Sequence, residues 1–310
     1  MHLFLYWVFV QLSLFLTGVD GYNSHFVKTE HGQVHYLEAE GQGDLPPMVF
    51  FHGIGCQATD MYPVMMHARQ YARKVISVDL PAHGQTDIPV EKLSLAEIRK
   101  TFNQGMDQIL AQEEPVVLFG NSLGGWQALL YAEHRPEELA GLIVVSPAGA
   151  RAEAPQYDRL RQIFAHDSTE KPESLLPLLF NKQLANPGLV ADLIKARFSD
   201  PRVQVLMQKL TPESTLQPQT LQKLSMPTLL IWGQKDRIFP GMLPFFKQNL
   251  PPQAQVLEPA EFTHSPYIEG KMDQELSELM FSWATGVFPQ KTAVYRGVTP
   301  GWDSVLLDKF

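Results

Sequence analysis

The hexapeptide Gly120-Asn121-Ser122-Leu123-Gly124-Gly125 sets a serine between the apolar run VVLF and the helix-compatible stretch LGGWQALLYAEH. A serine held in a tight strand-to-helix turn is kept in strained backbone geometry, and small residues on either side let the chain close around it. Its hydroxyl then stands at the carboxyl edge of a sheet. The helix start puts the backbone N–H of Leu123 beside it, where developing negative charge is stabilised. The same spacing also occurs in plain glycine-rich turns. The strand before it, the helix after it and the Asp and His that follow later in the chain favour a nucleophile.

A serine nucleophile needs a base, and the chain has ten histidines. His264, in EFTHSPYIE, lies in a loop after the last strand candidate and before the final helix, on the sheet edge expected for Ser122. A lone loop histidine is ordinarily a solvated side chain. The Ser, Asp, His chain order raises this one above that reading. Asp236 directly follows the strand candidate LLIWG, and its expected task is to accept the imidazole N–H and stabilise the imidazolium, its alternative being a turn or capping residue.

His52-Gly53-Ile54-Gly55 ends the strand candidate MVFF, and its glycines let backbone approach the site so that the Ile54 N–H forms the second half of an oxyanion hole. His52, Asp79 and His83 are expected to shape loops, not to transfer protons. Cys56 reads as a small buried hydrophobe. There is no His-Glu-x-x-His, no tight ligand cluster, no Gly-x-Gly-x-x-Gly and no phosphate loop, so neither metal nor cofactor is expected.

These residues require an alternation of strands and helices to bring them to one edge. Phe26 to Glu38 alternates apolar and polar around His31-Gly32, the pattern of a hairpin. Met48 to Phe51, Lys74 to Val78, Pro115 to Phe119 and Leu142 to Val145 are short apolar runs suited to strands buried on both faces. Helix-compatible segments at Tyr62 to Arg73, Ser94 to Gln112 and Leu123 to His134 separate them, giving the strand–helix–strand order of an α/β sheet. The alternation pauses after Ala150 and resumes with MPTLLIWG and AQVLEP, and a last helix is expected over Asp273 to Phe288. The interval 151–222 has one glycine, helical stretches broken by proline and no strand signal. It reads as a helical insertion.

The 310 residues, 45% hydrophobic and 19% charged, are ample for a buried core. A net charge of −8 without a Lys/Arg cluster disfavours a nucleic-acid partner. A single cysteine excludes an intrachain disulfide framework. Residues 1–19 contain no Asp, Glu, Lys or Arg, and Leu3 to Leu16 is almost wholly apolar. That stretch reads either as an export or membrane-anchor segment, or as an apolar helix lying on the protein or a bilayer surface. In the first case the protein is exported or membrane-associated, with membrane contact through residues 3–16. In the second it is cytoplasmic.

In their order, HGIG, DLPAHGQTD, GNSLGG, WGQKD and THSPYIE resemble the α/β-hydrolase superfamily, over about Phe26 to Phe288. The resemblance implies a mostly parallel sheet flanked by helices, with an inserted helical cap. Residues 1–22 would be an apolar leader, 23–150 and 223–310 the core domain, and 151–222 the cap. It implies Ser122 as nucleophile, Asp236 as acid and His264 as base, with Ile54 and Leu123 giving oxyanion N–H groups. The activity implied is hydrolysis of a carboxylic ester through an acyl-enzyme. A cap rich in Leu, Phe and Ile, and Trp126 beside the serine, suit a hydrophobic acyl, aryl or lipid-like small-molecule substrate. Both features also read as plain helix packing. Two alternatives stand beside it: a carbon–carbon hydrolase acting on a vinylogous diketone, and a catalytically silent binding module on the same fold.

Overall fold

Short apolar runs become the centre of an eight-stranded sheet in the computed structural model, which describes residues 17–151 and 153–288. The strands are β1 (Asn23–Thr29), β2 (Gly32–Glu40), β3 (Met48–Phe51), β4 (Lys74–Val78), β5 (Val116–Asn121), β6 (Leu139–Val145), β7 (Thr228–Ile231) and β8 (Gln255–Leu257). Their spatial order is β1-β2-β4-β3-β5-β6-β7-β8. β1 pairs antiparallel with β2, and β2 antiparallel with β4. From β4 to β8 every pairing is parallel. Strands β3, β5 and β7 are buried at every position, as expected where helices cover both faces.

On the two faces lie α1 (Tyr62–Ala68), α2 (Leu95–Ile109), α3 (Leu123–His134), and, after the insertion, the last helix, Met272–Val287. Ser94 caps α2 by accepting the Glu97 N–H at 3.2 Å, which fixes where that helix starts. Helix α1 ends earlier than its sequence pattern suggests, because residues 69–72 leave it as a turn, the Gln70 N–H donating to the His67 carbonyl. Strand β6 begins at Leu139, three residues ahead of its apolar run, since Leu139 and Gly141 pair with Val116 and Val117 of β5 across a register shift that passes over Ala140.

Between β6 and β7 the chain is helical, with α4 (Ala154–Arg161), α5 (Pro187–Phe198), α6 (Pro201–Lys209) and α7 (Pro218–Gln222) joined by shorter turns. A further helix, α8 (Leu243–Asn249), lies between β7 and β8, and Met272–Val287 is therefore α9. The apolar stretch at 3–16 and the tail at 289–310 lie outside the described residues. Among the described residues no helix is long and apolar enough to cross a membrane.

The loop after β4 shows how buried polar groups hold the carboxyl edge in shape. Asp79 is buried and accepts the Ala58 N–H at 2.6 Å, the Gln85 N–H at 2.8 Å and the His35 Nδ1–H at 2.7 Å. Burial alone would raise its carboxyl; the hydrogen bond and charge of His35, then His52 and the Gln85 N–H, together hold it below the usual range. His52 accepts the Leu80 N–H at 3.0 Å, while its Nδ1–H donates to the Gly53 carbonyl at 2.8 Å. Burial, followed by the neighbouring His52, pushes His83 down to about 3, so it stays neutral in the loop. These three residues shape loops, as the sequence suggested.

Candidate active site

Ser122 follows β5 and precedes α3 with φ 55° and ψ −117°, a backbone conformation that side chains rarely adopt. The glycines around it are explained by close approach. A Cβ on Gly120 would overlap the Gly124 carbonyl, and one on Gly124 would overlap the Phe51 carbonyl of β3. The turn is held by the Ser122 N–H donating to Val145 O at 3.1 Å and the Ala148 N–H donating to Ser122 O at 2.8 Å.

His264 lies in the loop after β8. Its Nδ1–H donates to Asp236 Oδ2 at 2.9 Å, and both side chains are buried. This bond fixes the tautomer and leaves Nε2 as an acceptor; Nε2 is buried and has no hydrogen-bond partner among the described residues. Phe239 presents its ring at 90° to the imidazole, 4.8 Å between centroids, and limits rotation of the base. Asp236 Oδ1 accepts the Ile238 N–H at 2.8 Å and the Phe239 N–H at 3.1 Å. Burial on its own would raise the Asp236 carboxyl. The attraction and hydrogen bond of His264, with the two N–H donors, outweigh that and hold it below the usual carboxylate range.

A cleft enclosing about 670 Å³, its open mouth included, reaches Ser122, and Ile54, Leu123 and Trp126 line it too. Among the described residues no turn or loop hydrogen bond engages the N–H groups of Ile54 and Leu123. The remaining lining comes largely from apolar side chains, among them Leu160, Phe164, Met207 and Leu210 of the helical segment and Phe239 and Met242 after β7. Trp126 packs its indole against Gly149, whose φ of +90° and contact with that ring leave no room for a side chain.

One residue of the site gives no chemical signal in the sequence. Asn121, fully buried, donates through Nδ2 to Val145 O at 3.0 Å and to His264 O at 2.8 Å. Its Oδ1 accepts the Ser265 hydroxyl at 2.7 Å and the Tyr267 hydroxyl at 3.2 Å. The residue before the serine thus fastens the histidine loop to the elbow. The available signal was a polar side chain inside a buried strand, since such a group requires partners. Asn121→Ala removes these four bonds from a buried site, although Val145 O keeps the Ser122 N–H, and is expected to cost about 3 kcal/mol of stability. Esterase assay of the folded fraction should show kcat lowered more than KM is raised. An unchanged kcat would remove Asn121 from the positioning machinery.

The helical segment is fastened to each loop of the site. Arg197 of α5 pairs with Asp60 at 2.8 Å just beyond the Ile54 loop, and the Phe198 ring covers Gly55 so closely that a Cβ there would strike it. Arg159 of α4 donates to the carbonyls of Ile238 at 2.9 Å and Arg237 at 2.8 Å, next to Asp236. Glu269, on the His264 loop, accepts the N–H groups of Asn181 and Lys182 at 2.8 Å each.

The cleft thus holds a buried serine hydroxyl beside Ile54 and Leu123, and an oriented base with an open acceptor nitrogen lies on the loop that Asn121 ties to the residue before that serine. That set suits nucleophilic attack on a carbonyl. Desolvation pushes the Cys56 thiol up to about 12, so no thiolate competes as nucleophile. No group of three His, Cys, Asp or Glu side chains among the described residues is placed to hold a metal.

A family model described as "alpha/beta hydrolase fold" matches residues 46–271. The chain is 24% identical over 239 residues to a monoacylglycerol lipase, ABHD6, of Bos taurus, covering 70% of this chain and 69% of that protein. It is 22% identical over 231 residues to Lipase 1 of Psychrobacter immobilis, covering 72% of each. Among solved structures, a membrane phospholipase A superposes with a TM-score of 0.73 at 22% identity, covering 91% of this chain and 93% of that one, a likeness of fold.

Proposed function

Since the chain belongs to the α/β-hydrolase family, we propose that it is a serine hydrolase that cleaves carboxylic esters with a hydrophobic acyl or aryl group. Ser122 attacks the carbonyl carbon as its proton passes to His264 Nε2, and Asp236 stabilises the imidazolium that forms. The tetrahedral oxyanion rests on the N–H groups of Ile54 and Leu123. The alcohol leaves with the proton returned by His264, and water repeats the sequence on the acyl-enzyme. In this reading residues 151–222 are a cap that closes the cleft.

The observation that carries the reading is the Asp236–His264 pair, with Nε2 left open, on the loop that Asn121 ties to the strained Ser122. The apolar lining supports a hydrophobic acyl or aryl group over a substrate carrying carboxylates. Among the described residues that line the cleft the one cationic side chain is Arg161, which is exposed and donates to the Leu210 carbonyl at 3.3 Å. The names of the relatives, a monoacylglycerol lipase and a lipase, support the same reading.

The test is a side-by-side assay with p-nitrophenyl esters of increasing chain length and with a vinylogous diketone. Ester turnover that rises with acyl length and then falls as the chain outgrows the cleft is expected. A diketone preferred by orders of magnitude would instead assign carbon–carbon hydrolysis. No turnover of either, with no fluorophosphonate labelling of Ser122, would make the protein a silent binding module.

A further inference from the structure

A second serine, not among the residues that line the cleft, has a completed hydrogen-bond relay. On the antiparallel edge of the sheet, the Ser24 hydroxyl of β1 donates to His35 Nε2 at 2.9 Å, and His35 Nδ1–H donates to Asp79 Oδ2 at 2.7 Å. The bond to Asp79 sets the tautomer that makes Nε2 an acceptor, so the order of protons is that of a serine, its base and the base's carboxylate. His35 and Asp79 are buried at 1% and 2% exposure, whereas Ser24 is exposed.

The dyad is rigid for reasons that do not involve Ser24. Asp79 is held by the N–H groups of Ala58 and Gln85, and the His35 N–H donates to Thr86 Oγ1 at 3.0 Å. The hydroxyl is therefore presented to solvent by a fixed base. Two neighbours give the spot chemical character. Phe26, 46% exposed, lies with its ring centroid 4.9 Å from that of His35 and forms an apolar seat. The Gln85 side-chain amide donates at 3.3 Å to the same His35 Nε2, and so packs a polar group beside the hydroxyl.

We propose that Ser24, activated by His35 and Asp79, is a second acylation site of this protein, taking an acyl group from small activated esters. Ser24 Oγ bonds to the acyl carbon while its proton passes to His35 Nε2. Collapse breaks the bond to the aryloxide, which departs with the electron pair, and His35 then releases its proton to water. Ser24 lies within an extended strand and not at a helix start, so no helix N–H pair is aimed at its acyl oxygen. The adduct accordingly accumulates as a covalent modification and does not turn over.

The experiment uses Ser122→Ala, so its outcome does not depend on the function assigned to the cleft. The variant is treated with p-nitrophenyl acetate, and acetyl groups are located by peptide mass mapping over time. Ser24 should be acetylated about 10²-fold faster than the exposed Ser225, the usual contribution of a positioned general base. Adding Ser24→Ala should remove that adduct, and adding His35→Gln should lower its rate to that of Ser225. Ser24→Ala alone should leave cleft turnover unchanged. No acetyl at Ser24, or acetylation at the rate of Ser225, overturns the proposal even if the His35 variant fails to fold. An equal rate in a folded His35→Gln variant does so as well.

Discussion

Ser122→Ala is expected to lower kcat/KM toward a p-nitrophenyl ester by about 10⁴- to 10⁶-fold, leaving what the oxyanion donors and binding supply unaided. In the proposed mechanism the hydroxyl forms the acyl bond, and the Cys56 thiol, pushed up to about 12 by desolvation, does not replace it. The main-chain geometry should survive. Alanine gives up only an oxygen, and the turn is held by backbone bonds to Val145 and Ala148 together with the four hydrogen bonds of Asn121. Thermal unfolding should therefore shift little, and relief of a non-glycine residue at positive φ is not expected, since alanine bears the same strain. Steady-state assay and fluorophosphonate labelling with peptide mapping are the measurements. Retention of even a tenth of the activity would transfer the nucleophile's role elsewhere.

Asp236→Asn should lower kcat by about 10⁴-fold through the wrong histidine tautomer. Asp236 Oδ1 accepts two backbone N–H groups, from Ile238 and Phe239. An asparagine must keep its carbonyl oxygen at that position, which turns its NH₂ toward His264 Nδ1. The imidazole then has to accept at Nδ1 and carry its proton on Nε2, facing the serine it should deprotonate. Substrate binding is untouched by this exchange, so KM should change little. The carboxylate is held below its usual range, so in the native enzyme it remains ionised when the pH falls into that range, and an acid limb of activity arises elsewhere than at Asp236. A loss smaller than tenfold in Asp236→Asn would refute its place beside the base.

How much of this was readable in advance depends on whether a feature is local. Strands β3 and β4 have the bounds of their apolar runs, because MVFF and KVISV are closed off by His52 and Asp79, which must leave the sheet to reach their partners. The serine elbow was equally legible, since its glycines answer to steric demands within a few residues. Helix α8 left no comparable trace: LPFFKQN is seven residues long, opens with proline at its second position and follows a Pro-Gly pair. The role of Asn121 was invisible because its partners on the histidine loop lie 143 to 146 residues further along the chain. The Ser24 relay was hidden for the same reason, its carboxylate being 44 residues from its histidine. Periodicity reports which face a residue occupies, and says nothing of which distant polar group it meets there.

The bonds from Arg197 and Phe198, from Arg159, and to Glu269 bear on how this molecule can be recombined. The helical segment and the sheet loops are not interchangeable parts. A chimera that received residues 151–222 from a relative would need a cation opposite Asp60, a ring that fits over Gly55, a donor for the carbonyls at 237 and 238, and two amides within reach of Glu269. Loss of the first two would loosen the Ile54 loop, of the third the Asp236 loop, and of the fourth the His264 loop. Segment and loops are therefore a single unit of inheritance, and exchange of specificity by grafting requires moving four patches of sequence together.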